Sequence, residues 1–181
     1  MALVEQLVTV GAVLAGAAGS YLTTRMADRD RFERDLRVRW DERRLDAFVA
    51  YVTGVKHVFR CASHLLTARF AGDELEDRAA LLAEMRAAEA ERSHAFERLI
   101  LLGDPATVQA AHDLNDRLWK LERPARDAEE IDEDGWHERA DAWVVALNDF
   151  HAHARESLGI SEALVRRDAA ASPPPRPDAD E

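Results

Sequence analysis

The chain has one cysteine in 181 residues, so an intramolecular disulfide and any cysteine-rich zinc motif are excluded. Lysine is almost missing. Two lysines stand against 22 arginines, and with abundant alanine this points to the coding bias of a GC-rich genome, not to a binding device. Basic charge as a whole is short: 35 acidic and 24 basic residues leave a formal charge of −11. A nucleic-acid partner, whose phosphates need a surplus of Lys and Arg, is not expected. Glycine-rich phosphate loops, a nucleophile elbow and a Ser/His/Asp grouping are all lacking, so no catalytic set or cofactor stands out. Few glycines and prolines with 33% charged residues suit long, solvent-facing helices.

What the chain does have, near its start, is a run of 19 uncharged residues from Gln6 to Thr24. As a helix it would span about 28 Å, close to the hydrocarbon core of a bilayer. A secretory signal peptide is the first rival, and Ala15-Gly16-Ala17 could mimic its cleavage site. Its n-region would carry Glu5 and no Lys or Arg, which is the wrong sign. A buried soluble helix is the second rival. The segment 1–24 is expected to be a single transmembrane anchor. Eight arginines follow over 25–44, at 25, 29, 31, 34, 37, 39, 43 and 44, with none before the span. By the positive-inside rule the C-terminal side faces the cytoplasm and the N-terminus lies outside the cell membrane. Cys61 then sits in a reducing compartment.

After Thr24 no stretch shows sustained period-2 alternation, so the fold class expected is all-α: the transmembrane helix, then an up-down antiparallel helical bundle. The first helix continues as a charged stalk over 25–44 and reaches about Ala71. Its apolar seam is Leu45, Phe48, Val52, Val55, Phe59, Ala62 and Leu66. Asp73 with Glu76 makes a capping-box-like start for the second helix, whose seam is Leu81, Met85, Ala88, Ala95, Leu99 and Leu102. Gly103-Asp104-Pro105 gives a stop, an N-cap and an N1 proline, the clearest boundary in the chain. The third helix uses Val108, Ala111, Leu114, Leu118 and Leu121 until Pro124 interrupts it. The fourth begins near Gly135 and aligns Trp136, Ala140, Trp143, Leu147, Phe150, Ala154 and Leu158. These helices make a bundle domain over 45–160, and 161–181 reads as a mostly disordered tail.

Two stripes of small residues suggest helix–helix contact. Within the span Gly11, Ala15 and Gly19 recur every four residues, a spacing that lets two backbones approach in lipid. On the back of the first bundle helix lie Ala50, Gly54, His57, Cys61, His64, Ala68 and Ala71, with no charge among them. That face packs either a neighbour in the same bundle or a second copy of the chain. A weak parallel homodimer, driven mainly by the span, is the expectation.

Three groupings have ligand chemistry. His57, Cys61 and His64 share one face at i, i+4 and i+7, with donors that suit zinc or copper, but no matching His or Cys pair stands out on another helix. Glu91 and His94 make a Glu-x-x-His, with Asp134 and His137 as a looser copy. Ferritin-like chemistry would need supporting glutamates at core positions, and none is expected there. The stretch 130–141, with Asp132 and Asp134, superficially matches a calcium loop; its alternative is an acidic run at the positive start of a helix.

The block Arg39-Trp40-Asp41-Glu42-Arg43-Arg44-Leu45 after an N-terminal span, with Gly103-Asp104-Pro105 and Leu118-Trp119, resembles small uncharacterised membrane-anchored helical proteins of actinobacteria. The resemblance implies an architecture and brings no assigned activity. The function expected is a non-enzymatic interaction or scaffold module, touching membrane lipid and an unidentified protein partner. The alternative is a metal-binding bundle protein or metal-dependent enzyme.

Overall fold

Aspartates placed ahead of apolar runs set where three of the helices begin. The computed structural model describes residues 2–72, 77–127 and 129–160, with only the backbone described for 2–24, 26–28 and 30. Among the described residues there are four helices: α1 Ala2–Ala71, α2 Arg78–Leu102, α3 Pro105–Asp127 and α4 Glu133–Ser157. Among the described residues there is no strand. Asp77 caps α2 by accepting the Ala80 N–H at 3.1 Å, so the described cap lies beyond the Asp73–Glu76 box, which is outside the described residues. Asp104 accepts the N–H groups of Ala106 and Thr107 ahead of Pro105. Burial works against ionisation of Asp104, but the bonds from Thr107 and Ala106 outweigh it and hold its pKa below the ordinary carboxylate value. The expected tail over 161–181 lies outside the described residues.

Proline does not end α3. The helix carries Pro124 and runs on to Asp127. Proline lacks the N–H that would bond the carbonyl four residues earlier, that of Lys120. Arg139 of α4 supplies the missing donor: its Nη1 donates to Lys120 O at 2.8 Å. The Pro124 carbonyl in turn accepts from Arg69 Nη1 at 3.3 Å.

The chain divides into two units, 1–42 and 43–181. In the first, Arg29 pairs with Glu33 one turn away at 3.0 Å, and Phe32, Leu36, Val38 and Trp40 are exposed. Among the described residues no helix is long and apolar enough to cross a membrane. The side chains of Gln6–Thr24, and with them Gly11, Ala15 and Gly19, lie outside those residues.

In the second unit the contacts give antiparallel neighbours. Along α1 and α2, Arg44 meets Leu102, Tyr51 meets Phe96 and His57 meets Glu84, in opposite chain order. Along α1 and α4, Phe48 meets Phe150 and Phe59 meets Trp143. Arg92 of α2 reaches Asn115 of α3, and Phe96 reaches His112. The core holds Tyr51, Phe150, Leu66, Met85, Leu99, Leu114, Leu118, Leu121 and Leu147. Phe59 lies parallel to Trp143 with centroids 4.0 Å apart and stacks on Trp136 at 5.9 Å. Leu45, expected in the seam, is instead 49% exposed.

Candidate functional site

The small-residue stripe on the back of α1 is what admits α2. A Cβ on Gly54 would stand 2.8 Å from the Arg92 Cα, so only glycine allows that approach. Gly54 and Ala68 are buried, and Ala50 is half-buried against the core. At Gly54 and Ala68 this matches the alternative of a neighbour within the same bundle.

Within that stripe Cys61 is buried, at 2% exposure. His57 stands one turn before it on α1, and Glu84 comes from α2. One ligand atom of each lies within 4.8 Å of the others. His57 Nε2 is 2.7 Å from Glu84 Oε1, and both side chains are part-exposed, so the cluster opens to solvent. His64 is exposed and does not join it. The member of this cluster that the sequence did not point to is Glu84. Only the antiparallel register of α1 on α2 brings it to Cys61, and no motif marks it.

The electrostatics of this cluster oppose nucleophilic chemistry. Burial, and then the charge of Glu84, push the Cys61 thiol above its ordinary value, with Arg60 working the other way. The hydrogen bond from His57 holds Glu84 below the usual carboxylate range. A reactive cysteine needs a nearby cation or base whose pull on the thiolate prevails; here His57 is bonded to Glu84, and burial with the carboxylate outweighs Arg60 and favours the thiol.

A second polar cluster crosses the bundle interior. Arg92 is 4% exposed and donates from Nη1 to Asn115 Oδ1 at 2.6 Å. The Tyr51 hydroxyl lies 2.9 Å from both Asn115 Oδ1 and Ala111 O, and its one proton serves one of them at a time. Burial pushes this phenol far above its ordinary value, although Arg92 pulls the other way. Glu122 of α3 is 2% exposed and bonded to Arg126 Nη1 at 3.0 Å. Burial, then the like charge of Glu89, raise Glu122 to about 7 against the pull of Arg126 and Arg92. Among the described residues its Oε2 and the Arg92 Nε have no hydrogen-bond partner. Glu122 therefore corrects the expectation that no glutamate occupies a core position of the third helix.

The other candidates do not converge. Glu91 and His94 are both exposed, as are Asp134 and His137. The calcium-loop reading is corrected because α4 begins at Glu133 and takes in most of that stretch. Asp132 is its N-cap, accepting the Gly135 N–H at 2.9 Å, and Glu133 and Asp134 occupy the first turn, where carboxylates suit the helix dipole. Among the described residues Asp132 and Asp134 join no group of potential metal ligands. A groove between α3 and α4 is lined by Asp113, Asp116, Arg117, Asp149 and His153, with Gln109, Val145 and alanines between them. Asp113 accepts from Gln109 and Asp116 from Lys120 along the same helix, so these two carboxylates serve α3 itself.

Comparison of the chain with protein-family models, with curated proteins and with solved structures gives no match. The resemblance to actinobacterial membrane-anchored proteins thus rests on the sequence blocks that suggested it.

Proposed function

We propose that this protein is a membrane-tethered helical bundle acting as a non-enzymatic interaction or scaffold module. It is a single-pass chain, with its N-terminus outside and its bundle in the cytoplasm. The observation that carries this reading is the order of three stretches: an uncharged Gln6–Thr24, eight arginines over 25–44, and a packed helical unit from Arg43 onward. A helix meets the main demand of a bilayer, because its backbone hydrogen bonds close on themselves, and α1 begins at Ala2. The arginines then hold the following residues on the cytoplasmic side.

Interaction is favoured over catalysis by the side chains of the bundle. The one thiol is buried beside a carboxylate that favours its protonated form, and Glu91 and His94 face solvent. Gly11, Ala15 and Gly19 would let two spans pack closely, giving a weak parallel homodimer in lipid. The other contacts are lipid and a protein partner still to be identified.

Fractionation and topology test the reading together. The full chain should stay with membranes through an alkaline wash, and a reporter fused after Glu181 should be active only as a cytoplasmic reporter. Recovery of the chain in the soluble fraction without detergent overturns the tether. For the dimer, a cysteine introduced by Arg29→Cys at an exposed position should cross-link in membranes. Changing Gly11 and Gly19 to Ile should abolish that product, and an unchanged yield rejects the dimer.

A further inference from the structure

We propose that His57, Cys61 and Glu84 form a zinc site that pins α1 to α2, with a water molecule completing a four-coordinate centre. Three unlike donors, an imidazole nitrogen, a sulfur and a carboxylate oxygen, lie within 4.8 Å of one another. The donor types are ones zinc takes, and its bonds of about 2.0–2.3 Å place ligand atoms some 3–4 Å apart, so the His57–Glu84 pair, now 2.7 Å apart, would open by a fraction of an ångström to admit the ion. Two of the ligands come from one turn of α1, at i and i+4, which places both on one face. The third comes from the neighbouring helix, so the ion would tie together α1 and α2.

Charge argues in the same direction. A thiolate, a carboxylate and a neutral imidazole sum to two negative charges, which a divalent cation balances. Binding an ion there would release the thiol proton of Cys61. Access is provided by His57 and Glu84, whose side chains are 28% and 51% exposed, while Cys61 forms the floor. The mixed set of sulfur, nitrogen and oxygen suits zinc better than magnesium or calcium, which take oxygen ligands alone. With only three protein ligands the site keeps an open position, as in zinc centres that hold water. None of this depends on the tether proposed above.

Cobalt(II) is the probe, because thiolate coordination gives a charge-transfer absorption that imidazole and carboxylate do not. The chain has a single cysteine, so that band can come from Cys61 alone. Titration of the full chain should give the band at one equivalent of cobalt, and zinc should displace it. His57→Ala and Glu84→Ala should each weaken binding more than about tenfold, the scale set by losing a group that supports a metal site. His64→Ala should leave it unchanged. Zinc should also raise the melting temperature of the native chain and not that of Glu84→Ala. Glu84 is exposed, so that variant keeps the fold and separates loss of the site from loss of structure. Absence of the band overturns the proposal. So does a band that survives both alanine variants, which would mark adventitious binding to a lone thiol.

Discussion

Gly54 and Arg92 meet at their backbones. A Cβ on Gly54 would lie 2.8 Å from the Arg92 Cα and 2.9 Å from its Cβ, and neither atom is the far end of a flexible chain. Alanine at position 54 would gain about 1 kcal/mol of helix propensity. It would also force α1 and α2 apart, and overpacking of this kind costs about 1–3 kcal/mol. The steric term should win, because moving Arg92 also strains its buried bond to Asn115. Gly54→Ala should lower the urea midpoint, and a raised midpoint would show that the two helices are not in close contact.

Glu122 should make stability depend on pH in an unusual direction. Its folded pKa of about 7 lies above the ordinary value of 4.5. Between those values the folded chain binds more protons than the unfolded one, so this group's contribution is fully present below about 4.5 and is lost as pH rises through about 7. Glu89, Arg92 and Arg126 are the charged groups that act on it. Glu122→Gln cannot ionise, so it should flatten the slope of unfolding free energy between pH 5 and 8. It should be more stable than the parent at pH 8 by up to about 3 kcal/mol, the scale of a rise from 4.5 to about 7. Equal slopes in the two proteins would refute the assignment.

Cys61 should resist alkylation in the native state. It is buried, and both its burial and Glu84 favour the thiol over the reactive thiolate. Mass spectrometry after iodoacetamide treatment at neutral pH should show little labelling until urea unfolds the bundle. Rapid labelling without denaturant would mean that α1 and α2 separate readily. For the same reason Cys61 is a poor handle for cross-linking two copies.

Asp104 should behave as a helix cap whose value depends on its charge. Asp104→Ala removes the acceptor for Ala106 and Thr107 and should cost about 1 kcal/mol, while Asp104→Asn should recover most of it. Its folded pKa is depressed, so its stabilisation is present above the unfolded value and is lost as pH falls through the folded one. Thermal melts of the three proteins at pH 7 and pH 3 check both points. A loss at Asp104→Ala as large at pH 3 as at pH 7 would contradict the role of charge.

Local chemistry made much of the architecture legible. Gly103-Asp104-Pro105 declared a boundary through three residues whose preferences agree, and the seam of α4 packs almost as its 3.6-residue period implies. The misses share a cause. Arg92 and Asn115 occupy core positions because they bond each other across helices, and Glu122 does so with Arg126 one turn along its own helix as partner; residue type alone places all three outside. The only trace of Arg92 was a gap of seven in the apolar seam between Ala88 and Ala95. Pro124 read as a stop because its compensation comes from Arg139, on the next helix. Glu84 required the register of α1 against α2, which no single helix encodes.

The bond from Arg139 to Lys120 also bears on the order in which the chain assembles. About two turns before its end, α3 has a carbonyl that its own helix cannot serve, so an isolated α3 would fray from Lys120 onward. Docking of α4 supplies the donor, and Arg69 of α1 binds Pro124 O together with Glu129 O and Ile131 O in the connection that follows. The end of α3, the 129–132 connection and the start of α4 therefore make one cooperative unit that opens and closes together. In hydrogen exchange their amides should share a single opening free energy, below that of the Leu114–Leu118 turns at the centre of the same helix.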